Sequence, residues 1–254
     1  MVRNQVNRLV CIMLACAALA GARNAHADDK KVMLKRTFKA MTVTTYKGTI
    51  KANIGGMDIE IQQKQKQTVK SVKENGNVVI VVEDLGSTLN GMEQPAGQPS
   101  TETRDKLGKL VDLVHDAGQN APFTPEVEKV MSAVSDLILT DKEVAEGDSW
   151  ETMLENAASK DHKIKIKTTY QGIDKVGGVE LWKFKQVGEA VVNTDGSKMV
   201  NESTIWINPK DGLMEKMDAK LKEVPTTLPN VAPIDFTLAV ERVKEKAADP
   251  KTDK

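Results

Sequence analysis

The pentapeptide Thr44-Thr45-Tyr46-Lys47-Gly48 recurs in the second half of the chain as Thr168-Thr169-Tyr170-Gln171-Gly172. Each copy runs on to a Gly-Gly pair, Gly55-Gly56 and Gly177-Gly178, followed by a hydrophobic residue, an acid and an aliphatic residue (Met57-Asp58-Ile59 and Val179-Glu180-Leu181). The chain has 2 tyrosines and both lie in this motif. Self-similarity on that scale argues for two related antiparallel β units arising by internal duplication, and two copies are too few for a solenoid. Glycine pairs suit the tight turns of hairpins, because glycine alone enters the positive-φ region without steric cost.

The flanking residues follow the same rule. Met57, Ile59 and Ile61 alternate with Asp58, Glu60 and Gln62, and Ile164, Ile166, Thr168 and Tyr170 alternate with Lys163, Lys165 and Lys167. This is the period of two of a half-buried strand, with the lysines on a solvated outer face. Polar residues on both faces from Gln62 to Thr68 read as the overhanging end of a long strand. Val78 to Val82 is apolar throughout, as in a strand covered on both sides, and Asn75-Gly76 before it marks a hairpin. Near the C-terminus Ile234, Phe236, Leu238 and Val240 share one face of a last strand. The charged segment 246–254 reads as a disordered tail.

Between the β units the composition changes. Pro95, Gly97 and Pro99 form a linker, and Leu107, Leu110, Val111 and Val114 then recur at helical spacing, which predicts a helix over residues 101–117. Thr124-Pro125-Glu126 signals a second helix, with threonine as N-cap, proline in the first turn and an acid beside the positive helix end. Its apolar stripe is Val127, Val130, Met131 and Val134. The expected organisation is therefore a signal segment over 1–27, a first β unit over 28–94, a linker and helical pair over 95–140, a second β unit over 141–245 and the tail. The fold class is mainly β within α+β: a sandwich or strongly curved antiparallel sheet carrying two amphipathic helices.

Arg3 and Arg8, an uncharged run over 9–22 and the small-x-small pair Ala25 and Ala27 form the pattern of a cleavable secretory signal. The run is too short to cross ~30 Å of hydrocarbon, so cleavage leaves no membrane-spanning helix and an exported, periplasmic or extracellular chain is expected. Cleavage also removes Cys11 and Cys16, so the mature chain is free of disulfides and relies on its core. The alternative is acylation of Cys16 in Leu14-Ala15-Cys16, which would anchor a lipoprotein. Equal totals of 36 basic and 36 acidic residues give no electrostatic footprint for nucleic acid.

Gly147-Asp148-Ser149-Trp150, together with Trp206-Ile207-Asn208-Pro209-Lys210-Asp211-Gly212-Leu213, resembles a group of exported bacterial β-rich proteins that share a G-D-S/T-W element and a later W-x-N/D-P-x-x-G-L hairpin. That resemblance implies an antiparallel β fold of unassigned role, similar in architecture to the curved-sheet lipoprotein carriers of the bacterial envelope. For chemistry, Ser149 in Gly-Asp-Ser would be the nucleophile of an envelope serine hydrolase, with Asp112-x-x-His115 as the nearest base motif. That motif precedes the serine, and the polar lead from Asp141 to Glu146 does not suit a strand delivering a nucleophile. Histidine spacing, glycine-rich phosphate loops and calcium-loop patterns are all missing, so no metal or other cofactor is expected. The leading expectation is a non-catalytic binding or structural protein. Its ligand or partner would be an apolar small molecule or an envelope protein, and Trp182, Phe184, Ile205, Trp206 and Phe236 are the candidate ligand-binding residues.

Overall fold

The computed structural model describes residues 31–115, 124–192, 196–226 and 232–244. The signal segment and the charged tail lie outside them. The strands run β1 (Val32–Met33), β2 (Val43–Ile54), β3 (Met57–Val72), β4 (Val78–Leu89), β5 (Met92–Gln94), β6 (Ser100–Arg104) and β7 (Leu110–His115). Helix α1 (Pro125–Ser135) follows, and then β8 (Glu143–Val144), β9 (Ser149–Glu155), β10 (Lys163–Val176), β11 (Val179–Val191), β12 (Lys198–Ile207), β13 (Met214–Val224) and β14 (Ile234–Arg242). Among the described residues the chain forms a two-stranded β1–β8 ribbon and a 12-stranded antiparallel sheet in the order β7-β6-β4-β3-β2-β14-β13-β12-β11-β10-β9, with β5 paired to β4.

The two pentapeptides lie in the first strands of the hairpins β2–β3 and β10–β11, each turned at its Gly-Gly pair. One continuous sheet carries both, because the last strand returns to the first hairpin: Phe236 pairs with Ala52, Leu238 with Ile50 and Val240 with Gly48. The two pentapeptides differ structurally at their last glycine. Gly48 lies in an unbroken ladder, whereas Gly172 sits at a register shift with φ +81°, where a side chain would meet the Glu146 carboxylate.

The sheet is bent. Leu110 and Leu113 of β7 share a crevice with Leu154 of β9, Ile164 of β10, and Val130 and Ala133 of α1, so both edges of the sheet curl towards one helix. The core fills the concave side under β9–β13, where Ile164, Ile166 and Tyr170 meet Phe184, Ile205 and Leu221 below Val130 and Val134 of the helix. Tyr170 and Phe184 stack at 5.4 Å between centroids. Gly188 of β11 lets the helix approach this closely, since a methyl group there would lie 2.8 Å from the Val134 carbonyl oxygen. The carbonyls at the helix C-terminus, which lack partners within the helix, are met by side chains from the sheet. Gln186 Nε2 and Asn201 Nδ2 donate to Val134 O at 3.1 and 2.9 Å, and beyond the helix Trp150 Nε1 donates to Ile138 O at 2.9 Å.

One of the two expected helices forms. At α1 the N-cap is Thr124, whose hydroxyl accepts from Val127 N at 3.3 Å, with proline in the first turn and Val127, Val130 and Val134 buried. The segment read as a helix over 101–117 is instead the hairpin β6–β7, as far as it is described. Its helical spacing spans Gly108, which adopts φ +98° in the turn. The Asp105 carboxylate accepts from Leu107 N and Lys109 N and so closes that turn. Thr101, Thr103, Val111 and Val114 are β-branched, and with β4 supplying an edge to pair with, strand preference wins over a periodicity of four apolar residues.

Candidate functional site: a cavity under the concave sheet

Helix α1 covers β10–β12 and leaves the concave face of β14, β2 and β3 open. There a cavity of about 350 Å³ lies between the sheet and the chain that follows the helix. Strand alternation supplies its apolar wall: Ile50 on β2, Leu238 and Val240 on β14, Met217 on β13 and Ile205 on β12 are register partners across three ladders. Gly48, between Val240 and Gln63, contributes no side chain and widens the cavity. The far wall changes character, because the alternating Gln63, Gln65 and Gln67 of β3 face inward here. They are the polar stretch read from sequence as a solvated overhang, and the bend of the sheet is what turns them into a lining.

The lining also holds buried charges. Arg104 of β6 donates through Nε to Glu102 at 2.8 Å and through Nη1 to Gly108 O at 3.2 Å, and its Nη1 pairs with Asp136 just beyond the helix at 2.5 Å. The side chains of Arg104 and Asp136 are only 12% and 13% exposed. Burial raises the pKa of Asp136 despite Arg104; burial also works against the Arg104 cation, but Asp136 and Glu102 outweigh it and hold its pKa above the ordinary value. Arg36 completes the group from the irregular segment 34–42. That segment crosses the turn at Gly212, where a side chain would lie 2.6 Å from the Arg36 Cα. Arg36 Nη2 donates to Leu137 O at 3.0 Å, while its Nε is buried without a partner. Burial, then the neighbouring Arg104, lowers its pKa to about 10.

The five candidate ligand residues divide among three environments. Ile205 belongs to the core and also lines the cavity. Phe184 and Phe236 belong to the packed core, with Trp182 at its margin. Trp206 follows Ile205 directly and therefore points to the convex face. Its indole donates to Asp174 at 2.9 Å and its ring is flanked by the ammonium groups of Lys183 and Lys216. Ser149 lies at the start of edge strand β9, with its hydroxyl 2.8 Å from that of Thr169. The preceding Asp148 accepts from Ala145 N, and the described His162 ring bonds Ser159. Gly147-Asp148-Ser149-Trp150 thus starts a strand, through Gly147 N to Tyr170 O and Tyr170 N to Asp148 O.

Sequence reasoning missed Arg36, Glu102, Arg104 and Asp136. Glu102-x-Arg104 would have been legible as one strand face, but the helical reading of that segment scattered the pair around a cylinder. Among the described residues no cluster of three or more His, Cys, Asp or Glu could hold a metal ion, and no helix is long and apolar enough to cross a membrane.

Neither a protein-family model nor a curated protein sequence matches this chain. Among solved structures it is similar to a DUF1329 family protein from Desulfovibrio piger, with 10% identity, 78% of this chain and 83% of that one covered, and a TM-score of 0.29. The hypothetical lipoprotein YmcC from Escherichia coli matches with 10% identity, 84% and 92% coverage and a TM-score of 0.28. A domain described as an outer membrane lipoprotein-sorting protein from Vibrio parahaemolyticus matches with 7% identity, 81% and 85% coverage and a TM-score of 0.22. At such distances the likenesses carry no functional weight, and the cavity has to speak for itself.

Proposed function

We propose that this chain is a non-catalytic binding protein of the cell envelope that holds an apolar or amphiphilic small molecule under its curved sheet. The observation that carries the reading is the cavity of about 350 Å³ walled by Ile50, Ile205, Met217, Leu238 and Val240 on register-paired strands. A core selected only for stability closes such a space, because unfilled apolar volume costs about 24 cal/mol per Å³. Gly48 at its centre keeps it open where almost any side chain would fit: a methyl group there would approach nothing nearer than the Ala239 carbonyl oxygen at 3.8 Å. An apolar wall facing a few convergent polar groups is the general form of a small-molecule site. The test is the mass of the protein purified from its host, recorded under native and then denaturing conditions. Mass lost on denaturation supports the reading, and identical masses across preparations that retain the fold oppose it.

A further inference from the structure

Resting on that reading of the cavity, we propose that its ligand is a single-chain carboxylate whose head group is bound by Arg36 and whose alkyl chain lies along Ile50, Leu238 and Val240. The guanidinium of Arg36 offers five donors, and one is used, in the bond from Nη2 to Leu137 O. Its Nε is buried and unpartnered, and among the described residues no ion pair includes it. Asp136 is the acid it senses most strongly, and that carboxylate is already engaged by Arg104, as is Glu102. A buried cation without a counter-ion is strongly unfavourable in a folded chain, and a ligand anion removes that penalty on binding.

The shape of the site selects the kind of anion. A carboxylate presents two coplanar acceptors to the guanidinium fork, a match worth about twice a neutral hydrogen bond. Gln65 and Gln67 line the same cavity, and their side-chain amides make no hydrogen bond to other described residues, so further donors stand ready for the head. The cavity lies near the lower end of the ~300–1,000 Å³ range of small-molecule sites, which suits one slender chain. Arg36 also bonds a carbonyl beyond the end of α1, but that duty needs a single donor and predicts no preference among ligand heads.

The experiment is calorimetric titration of the full chain, freed of endogenous ligand, with dodecanoate and with dodecanol, in the wild type and in Arg36→Gln. Dodecanoate should bind roughly tenfold to hundredfold more tightly than dodecanol in the wild type, and Arg36→Gln should abolish that preference. Equal affinity for the two in the wild type overturns the head-group assignment and leaves the cavity reading standing. A preference that survives Arg36→Gln overturns the role of Arg36. Failure of both compounds to bind the wild type, which needs no variant to fold, overturns the cavity reading as well.

Discussion

Replacing Gly48 with leucine separates a functional cavity from a packing defect, because the two accounts predict different pairs of outcomes. Gly48 sits in the regular β14–β2–β3 ladder and its φ is not in the positive region, so a side chain is admitted without backbone strain. The nearest atoms to a new methyl would be Ala239 O at 3.8 Å and Val240 Cγ2 at 3.9 Å, ordinary contact distances, with the rest of the leucine projecting into the cavity. Removing glycine from a strand interior contributes roughly 0.5–1 kcal/mol, and burying a leucine side chain contributes roughly 1.5–3 kcal/mol. Lost rotamer freedom opposes this by about 0.5–1 kcal/mol, and the net is a stabilisation of about 2 kcal/mol. The expected outcome of a urea titration is a higher midpoint with an unchanged slope. The same variant should lose saturable binding of an apolar dye such as Nile red. Destabilisation by about 1 kcal/mol or more would mean overpacking, and so a cavity already closed in solution; that result would refute the reasoning.

Two further outcomes follow from the packing. Gly188→Ala should cost about 1–3 kcal/mol in urea unfolding, because its methyl would lie 2.8 Å from Val134 O and 2.9 Å from Val134 Cβ, so the helix must shift; an unchanged midpoint would deny the close approach of α1 to β11. Tyr46 is pushed up to about 12 by burial, which outweighs the opposing pull of Arg242 and Arg36, and burial, then Glu146, raises Tyr170 as well. The native protein should therefore show little tyrosinate absorbance at pH 10. The folded value of Tyr46 lies above the unfolded 10.0, so its contribution to stability is complete below pH 10 and is lost as pH rises towards 12. A full tyrosinate step near pH 10 in folded protein would contradict the placement of Tyr46.

Much of the sheet could be read in advance because a period of two is a strong local signal and its partner is the next strand. The Lys163–Tyr170 alternation, the Gly-Gly hairpins and the last strand through Ile234, Phe236, Leu238 and Val240 all follow from it. The exposed lysines pair with acids across the strand, Lys165 with Glu151 and Lys163 with Glu155, as an outer face does. Residues 101–115 misled because four apolar residues fit a helix, while the competing strand β4 is distant in sequence and invisible to a local window. The site was harder still. Aromatic residues were the natural candidates, yet Phe184 and Phe236 serve the core and Trp206 the convex face, since large rings bury the most area wherever the fold needs filling. What shapes the cavity is an absent side chain at Gly48 and a bend in the sheet. The two halves join in one sheet through the pairing of β14 with β2, a contact between distant parts of the chain that no short motif announces.

The most direct test of a ligand site under the curved sheet is methyl resonance mapping of the isotope-labelled protein as dodecanoate is added. The account predicts shifts and intermolecular Overhauser contacts at the methyls of Ile50, Ile205, Leu238 and Val240, with the core methyls of Ile164 and Ile166 undisturbed. Saturable binding that leaves those four residues unmoved and perturbs the exposed strand ends at Met57 and Met92 instead would contradict it.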